Sequence, residues 1–122
     1  MRGIVRTILI VDDQASFRSL ARSMLEADGY LVVGEAADGT TAIAQARSLK
    51  PDLVLLDVQL PDLDGFAVCE QLALDPDAPP IVLTSTRPAS SYRHRLRISG
   101  ARGFIAKSEL TGSALAEIMN PV

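Results

Sequence analysis

Short apolar runs alternate with amphipathic segments along the chain. Five of the runs are continuously hydrophobic, which is typical of strands that a parallel sheet buries on both faces. The predicted strands are Ile8 to Val11, Leu31 to Ala36, Leu53 to Leu56, Ile81 to Thr84 and Gly103 to Ala106. The pattern therefore predicts a five-stranded parallel sheet.

Between and after these runs, apolar residues recur at the spacing of a helix face. The faces predicted for the first three helices are Phe17, Leu20, Ala21, Met24 and Leu25, then Ile43, Ala46 and Leu49, then Phe66, Cys69, Leu72 and Ala73. The remaining predicted helices are about Ala89 to Ser99 and a short one that includes Leu115, Ile118 and Met119. Gly29 and Pro51 are placed to end the first two helices.

Strands that alternate with helices predict an α/β fold, a parallel sheet with helices on both faces. The length of 122 residues fits one compact domain, so we expect a single domain over residues 1–122. In open sheets of this kind, ligands sit beyond the carboxyl ends of the strands. The residues that end the strands are therefore the candidates for a functional site.

Composition narrows the class of protein further. Apolar residues make up 48% and charged residues 22% of the chain, as in a soluble globular protein. The net charge of −3 and the lack of a basic arm give no case for direct nucleic-acid binding. No secretory pattern or apolar run of membrane-spanning length is present, so we expect a cytoplasmic protein without membrane contact.

Charged and hydroxyl side chains follow several of the predicted strands. Asp12 and Asp13 end the first strand, Asp57 the third, Thr84 and Ser85 the fourth, and Lys107 the fifth. Three carboxylates at one sheet edge repel each other and resist burial as anions. A lysine and a divalent cation would offset that penalty, and an all-oxygen ligand set favours Mg²⁺.

These motifs resemble the response-regulator receiver domain of two-component signalling over essentially the whole chain. The resemblance is carried by the acidic pair Asp12 and Asp13, by Asp57 with Pro61 and Gly65 at the family's spacing, by the strand-four hydroxyl, and by the segment "GFIAK" that ends in Lys107. It implies the flavodoxin-like, doubly wound (βα)5 fold of chemotaxis-type receivers, with strand order 2-1-3-4-5.

The resemblance also implies a role for each residue of the site. Asp57 would accept a phosphoryl group from the phosphohistidine of a sensor histidine kinase or a histidine phosphotransfer protein. Asp13, Asp57 and the backbone carbonyl of Gln59 would ligate Mg²⁺, and Asp12 would hold a metal-bound water. Lys107 would pair with a phosphoryl oxygen.

A switch is implied by the same family pattern. Ser85 is the favoured hydroxyl for contact with the phosphoryl group, and Thr84 is the alternative. Phe104 would rotate inward when that hydroxyl moves, exporting the change to the face of helix four, strand five and helix five, where a downstream partner or output domain binds. Gln59 and Arg87 occupy positions that tune phosphoryl lifetime in receivers.

Other polar residues have simpler interpretations. Isolated aspartates outside the strand ends are expected to cap helices or form turns, namely Asp38, Asp52, Asp62, Asp64 and Asp75. Cys69 reads as a buried apolar residue, and His94 as a solvated helix residue. The arginines around helix four form either a solvated face or a docking surface for an acidic partner: Arg87, Arg93, Arg95, Arg97 and Arg102.

Two alternatives to a phosphorylatable receiver remain at this point. A degenerate receiver would only bind partners, which the complete acid and lysine set argues against. An aspartate-nucleophile phosphatase would need an acid where Gln59 stands. A receiver catalyses only its own phosphorylation and dephosphorylation, so we expect no separate enzyme activity; the chain is either a stand-alone receiver or the receiver portion of a longer protein.

Overall fold

A computed structural model describes residues 6–120, which fold around one five-stranded parallel sheet. The strands are β1 (Thr7–Val11), β2 (Leu31–Ala36), β3 (Leu53–Asp57), β4 (Ile81–Ser85) and β5 (Gly103–Ala106). Their order across the sheet is β2-β1-β3-β4-β5, with every neighbouring pair parallel. The predicted flavodoxin-like order is confirmed. The order in which successive strands are added to the sheet reverses between β1 and β3.

Five helices connect or follow the strands. They are α1 (Ala15–Ala27), α2 (Gly39–Leu49), α3 (Gly65–Leu72), α4 (Arg93–Ile98) and α5 (Gly112–Met119). Side chains cap three of their amino ends: Asp38, Asp64 and Thr111 accept hydrogen bonds from Thr41, Ala67 and Ala114 N–H. Gly29, with φ of 95°, ends the α1 turn in a conformation that favours glycine, as predicted.

The helices form two layers, one on each face of the sheet. Leu9, Val54 and Leu83 face α2 and α3, whereas Ile10, Leu55 and Val82 face α1 and α5. Because both faces are covered, nearly every residue of β1, β3 and β4 is buried. The continuous hydrophobicity of these three segments therefore reflects two-sided burial.

Three sequence predictions differ from the structure. The predicted fourth helix is a 3₁₀ turn over Ala89–Tyr92 followed by the shorter α4, which has no buried residue. Leu20 and Leu49 are 60% and 41% exposed, since each lies at the edge of its helix face and not at the centre. Ala73 follows α3 and is exposed, because the helix ends one residue earlier at Leu72.

None of the helices within residues 6–120 combines the length and apolar character needed to cross a bilayer. The longest, α1, has 13 residues and presents charged side chains to the solvent.

Candidate functional site

The carboxyl ends of three central strands and of β5 deliver the predicted site residues to one edge of the sheet. Asp12 directly follows β1, Asp57 is the last residue of β3, Ser85 is the last residue of β4, and Lys107 directly follows β5. Parallel strands place these ends side by side. The sheet therefore fixes the relative positions of residues that are far apart in the sequence.

The three predicted acids form one cluster. Asp12, Asp13 and Asp57 each offer a carboxylate oxygen, and these atoms lie within 4.8 Å of one another. Asp12 and Asp57 are buried, whereas Asp13 is exposed. The cluster is therefore open to solvent on the side of Asp13.

Lys107 neutralises part of this negative charge. Its Nζ lies 2.5 Å from Asp12 Oδ2 and donates to Asp57 Oδ2 at 3.3 Å. The same ammonium lies 4.4 Å from the centroid of the Phe17 ring, which shields it from solvent on the α1 side. One cation thus bridges the two buried acids.

Burial and charge act in opposite directions on this pair. Desolvation raises the pKa of Asp57 to about 6, with a further increase from Asp12, although the Gln59 N–H and Lys107 oppose it. Burial lowers the pKa of Lys107, but its bonds and charge interactions with Asp12 and Asp57 outweigh that effect and raise it overall. The Lys107 ammonium therefore stays charged at neutral pH. Burial still disfavours the ionised form of Asp57, so its pKa remains raised.

Backbone contacts hold the carboxylates in place. The N–H of Gln14 donates to Asp12 Oδ1 at 2.9 Å, and the N–H of Gln59 donates to Asp57 Oδ1 at 3.1 Å. Arg18 donates from its guanidinium to the backbone carbonyl of Asp12 at 2.7 Å. Each acid therefore has one oxygen held by a backbone N–H and the other next to Lys107.

Sequence reasoning missed Phe17 and Arg18 as supports of the site. The apolar pattern assigned Phe17 to the core face of the first helix, and no motif pointed to Arg18. Arg18 also donates to Glu35 at 3.0 Å, and Glu35 accepts from Arg22 at 2.7 Å. These contacts join α1 to β2 across the chain, so a local pattern carried no signal for them.

The loop between β3 and α3 is tied down at several points. The N–H of Gly65 donates to the carbonyl of Val58 at 2.7 Å, and a Cβ at Gly65 would lie 2.7 Å from the carbonyl oxygen of Asp57. Asp62 accepts from the N–H groups of Gly39 and Thr40 at the start of α2. The pKa of Asp62 is lowered by these hydrogen bonds, the Gly39 N–H first. Gly65 thus allows α3 to begin directly against the end of β3.

The two candidate hydroxyls on β4 have different surroundings. Thr84 is aligned with Asp57 in the sheet register, and its hydroxyl is buried without a hydrogen-bond partner among the described residues. Ser85, one residue nearer the carboxyl edge, accepts from the N–H of Arg87 and is bonded to the Tyr92 hydroxyl, each at 3.0 Å. Both positions are fully buried.

Three aromatic rings extend from Ser85 across the α4 side of the sheet. The Tyr92 ring lies 5.7 Å from Phe66 and 6.1 Å from the half-buried Phe104, centroid to centroid. Arg95 stacks 4.2 Å above Phe66 and donates to Asp64 at 2.7 Å. Tyr92 was not anticipated from the sequence, because its contact with Ser85 depends on the 3₁₀ turn.

The remaining predicted residues lie at or outside the rim. Gln59 and Arg87 are exposed, each two residues beyond a strand-end residue of the site. His94 is exposed on α4, as expected of a solvated residue. Cys69 is buried, and desolvation raises the pKa of its thiol to about 12, which keeps it unreactive.

The donor set fits Mg²⁺. Three carboxylate oxygens within 4.8 Å of one another are close to the spacing that a shell of roughly 2.1 Å radius requires. The exposure of Asp13 leaves room for the waters that Mg²⁺ retains. The raised pKa of Asp57 adds a physical reason for a cation, since a second positive charge would favour the ionised carboxylate.

Fold and site together define a flavodoxin-like protein with an acidic, lysine-bridged edge suited to phosphoryl chemistry. The profile of the response regulator receiver domain matches residues 8–119. The chain therefore belongs to the receiver-domain family of two-component response regulators.

Relatives of known sequence and structure agree with this assignment. A putative transcriptional regulator of Pseudomonas aeruginosa is 41% identical over 84% of this chain and 49% of its own length. The chemotaxis protein CheY of Thermotoga maritima is 33% identical over 96% of this chain and 97% of its own length. The chain spans about half the length of the transcriptional relatives it matches.

Solved structures show the same fold. A LuxR-family two-component response regulator from Aurantimonas superposes with a TM-score of 0.85 at 28% identity, over 95% of this chain and 84% of that one. The receiver domain of the putative response regulator NarL from Mycobacterium tuberculosis superposes with a TM-score of 0.83 at 26% identity, over 97% and 99% of the two chains.

Proposed function

We propose that the chain is a phosphoacceptor switch in which Asp57 accepts a phosphoryl group from a histidine kinase or a histidine phosphotransfer protein. The observation that carries the proposal is the burial of Asp57 at a strand end, bonded to Lys107 beside Asp12 and Asp13. A purely structural carboxylate would gain nothing from two neighbouring acids. A phosphoryl acceptor needs this combination of nucleophile, cation and metal ligands.

The reaction conserves atoms and charge in one displacement. An Asp57 carboxylate oxygen forms a bond to phosphorus while the bond between phosphorus and the histidine nitrogen breaks, and the electron pair stays on the imidazole. Lys107 already lies within hydrogen-bond distance of Asp57 and donates to a phosphoryl oxygen as charge accumulates there. The rigid end of β3 holds the nucleophile in line.

Asp13, Asp57 and the backbone carbonyl of Gln59 would hold Mg²⁺, with Asp12 binding one of its waters. The metal, when bound, neutralises charge on the transferring phosphoryl group. Without the metal, Asp12 and Asp57 share the single positive charge of Lys107.

Control of partners follows from the elements next to the site. Ser85, or Thr84 as the alternative, binds a phosphoryl oxygen, and Phe104 then moves toward the space vacated by that hydroxyl. The face of α4, β5 and α5 changes as a result and binds a downstream protein or output domain. The site serves a cytoplasmic signalling protein, in which residues 1–122 act as one receiver domain.

Gln59 and Arg87 set the lifetime of the phosphorylated form. Both are exposed at the rim of the site, where water must approach the phosphoryl group. Substituting either residue is expected to change the dephosphorylation rate more than the phosphorylation rate. Equal changes in both rates would contradict this role.

Intact-mass measurement with acetyl phosphate as phosphodonor tests the proposal. The wild type in Mg²⁺ is expected to gain one phosphate, whereas Asp57→Ala and the chelated wild type gain none. Asp77→Asn is the matched control, because Asp77 is a strongly exposed aspartate whose only ion pair is with Lys50 among residues 6–120.

The outcomes separate the competing functions. An adduct that requires both Asp57 and Mg²⁺ supports the phosphoacceptor switch. A folded wild type that gains no phosphate from acetyl phosphate or from a phosphorylated histidine phosphotransfer domain favours a degenerate receiver that only binds partners. Steady release of inorganic phosphate from many equivalents of an ordinary phosphate ester would favour the phosphatase alternative.

A further inference from the structure

The hydroxyl of Ser85 is bound on the side of α4. It accepts from the N–H of Arg87 and shares a hydrogen bond with the Tyr92 hydroxyl, both at 3.0 Å. The Asp57 carboxylate accepts hydrogen bonds from Gln59 and Lys107 within the described residues, and Ser85 is not among its donors. The Ser85 hydroxyl is therefore directed to Tyr92 in this state and not to the reacting carboxylate.

Where Ser85 is the donor in its bond to Tyr92, contact with a phosphoryl oxygen requires that hydroxyl to change partners. A serine hydroxyl has one proton and two acceptor positions. The Arg87 bond closes a turn two residues long and moves with Ser85, but Tyr92 lies seven residues away on another element. The bond to Tyr92 is therefore the one that ties Ser85 Oγ to a separate element.

Tyr92 is well held for such a role. Its ring is half-buried and packs between Phe66 and Phe104, while Ser85 is the hydrogen-bond partner of its hydroxyl among residues 6–120. The residue closes the 3₁₀ turn that leads directly into α4. A shift of its hydroxyl is thus passed to the start of α4 and to the Phe104 ring.

We infer that Tyr92 is a positioning residue that holds the Ser85 hydroxyl away from Asp57 until phosphorylation breaks the hydrogen bond between Tyr92 and Ser85. The inference rests on the proposed function and deepens it, since it assigns the resting state of the switch to a tyrosine that precedes α4. Phe104 has no hydroxyl, so Tyr92 is the aromatic residue that bonds to Ser85 directly. When the bond breaks, the Tyr92 hydroxyl moves to solvent and α4 loses one of its attachments to β4.

The first test removes a single oxygen atom. Tyr92→Phe keeps the ring between Phe66 and Phe104 but lacks the bond to Ser85, so acetyl phosphate is expected to phosphorylate it about two- to tenfold faster than the wild type, as loss of one competing hydrogen bond predicts. Tyr30→Phe is the matched control. It removes the hydroxyl of the chain's other tyrosine, which contacts Gly112 on the opposite side of the fold.

A double-mutant cycle separates this role from general packing. In a Ser85→Ala background, Tyr92→Phe has no bond left to remove and is expected to leave the phosphorylation rate unchanged. Urea unfolding of all four proteins checks that each is folded under the assay conditions. A change in rate that depends on Ser85 cannot come from packing of the ring alone.

The second test follows Tyr92 directly. The chain has two tyrosines and no tryptophan, so in the Tyr30→Phe protein Tyr92 is the only source of tyrosine fluorescence. Acrylamide is expected to quench this emission more strongly after phosphorylation, because the hydroxyl and ring edge move toward solvent. Unchanged quenching in a fully phosphorylated sample would overturn the inference.

The kinetic outcomes are equally decisive. An unchanged or slower rate for Tyr92→Phe, or the same acceleration with and without Ser85, overturns the inference while leaving Asp57 as the acceptor. A slower rate found only in the presence of Ser85 overturns it as well, because Tyr92 would then assist the serine. A wild type that gains no phosphate at all overturns both this inference and the proposed function.

Discussion

At the scale of single residues, Asp57 shows how burial and neighbouring charge act against each other at this site. Its burial at the end of β3 raises its pKa to about 6, although Lys107 lies 3.3 Å away. The lysine is shared with Asp12 and so cannot neutralise both acids. A bound divalent ion would complete the balance of charge.

Mg²⁺ is expected to stabilise the wild type and to lose that effect when Asp13 is replaced. Asp13 is exposed, so Asp13→Asn removes one metal ligand without disturbing the core. Thermal unfolding in 10 mM MgCl₂ and in chelator should differ by about 2 °C or more for the wild type and by much less for the variant. Asp77→Asn should keep the full response; an equal loss in both variants would contradict a specific site.

Glu35 supplies the clearest pH dependence of stability. The hydrogen bond from Arg22 is the largest cause that lowers the pKa of Glu35. Burial comes next and raises it, but the hydrogen bond from Arg18 and the two positive charges keep the pKa lowered overall. A carboxyl whose pKa is lowered on folding stabilises the protein above its unfolded pKa of about 4.5, and this stabilisation disappears as the pH falls through the lower folded value.

Glu35→Gln should therefore reduce the free energy of unfolding by about 1 kcal/mol at pH 7 and by less at pH 3, which lies below the unfolded pKa. Urea unfolding at the two pH values measures the difference. Glu117→Gln, on the exposed surface of α5, serves as the control and should show no such pH dependence. A Glu35→Gln penalty that persists unchanged at pH 3 would show that the hydrogen bonds matter and the charge does not.

Residue types at the strand ends could be predicted, whereas most of their supports could not. Asp12, Asp13, Asp57 and Lys107 follow apolar runs, and the parallel sheet requires that they meet. Arg18 and Tyr92 reach the site from helical or 3₁₀ segments whose side-chain directions depend on tertiary packing. Their contacts connect separate elements, so no local pattern encodes them.

At the scale of elements, α3 and β3 form one unit around Gly65. The first turn of α3 lies so close to β3 that an added Cβ would be 2.7 Å from the Asp57 carbonyl oxygen and 3.0 Å from Val58 Cα. Both contacts are with backbone, which cannot rotate away as a side chain could. The position of the nucleophile is therefore coupled to the start of α3.

Gly65→Ala is expected to destabilise the protein by about 1–3 kcal/mol, as overpacking against backbone does, and to slow phosphorylation of Asp57. Chemical denaturation and the acetyl phosphate assay measure the two effects. Gln71→Ala on the exposed side of the same helix is the control and should change neither. Normal stability and rate in Gly65→Ala would show that the loop can relax without moving Asp57.

Helix boundaries were predictable where capping residues are local. Asp38 and Asp64 cap the helices that follow them, as expected of aspartates before helices. Asp62 instead binds the start of α2 from a different loop, which no sequence signal indicated. The fourth helix was predicted too long because its apolar residues are few and its first turn is 3₁₀.

At the scale of the whole molecule, charge is divided unevenly. The segment from Ala78 to Ser108 contains five arginines and no acid, although the net charge of the chain is −3. Arg87, Arg93 and Arg97 form no ion pair with residues 6–120, whereas Arg95 is bound to Asp64. The surface around α4 thus presents free positive charge beside the proposed partner face.

An acidic polymer is expected to bind this surface. Reversing two charges on α4 (Arg93→Glu with Arg97→Glu) should weaken binding of polyglutamate at low salt by at least about fivefold while phosphorylation continues. The control reverses Arg47 on α2 and Lys50 directly after that helix, which changes the net charge equally. Equal weakening by both pairs would indicate an effect of net charge and not of a docking surface.

The α/β architecture was the most predictable property of the molecule. Buried strands and amphipathic helices leave a strong pattern in the sequence, and one sheet with two helical layers satisfies it. The surface around α4 was less predictable, because exposed arginines fit a solvated face as well as a docking site. Only the packing of Tyr92, Arg95 and Phe66 shows which of these side chains are already engaged.

The modest burial of α4 has a consequence for how the molecule opens. The helix spans six residues and buries none of them, so its backbone hydrogen bonds are held by little apolar packing. Segments of this kind separate from the body of a protein in sub-global fluctuations whose free energy is far below that of complete unfolding. Amide hydrogen exchange should therefore be faster in α4 than in α1, α2 or α3.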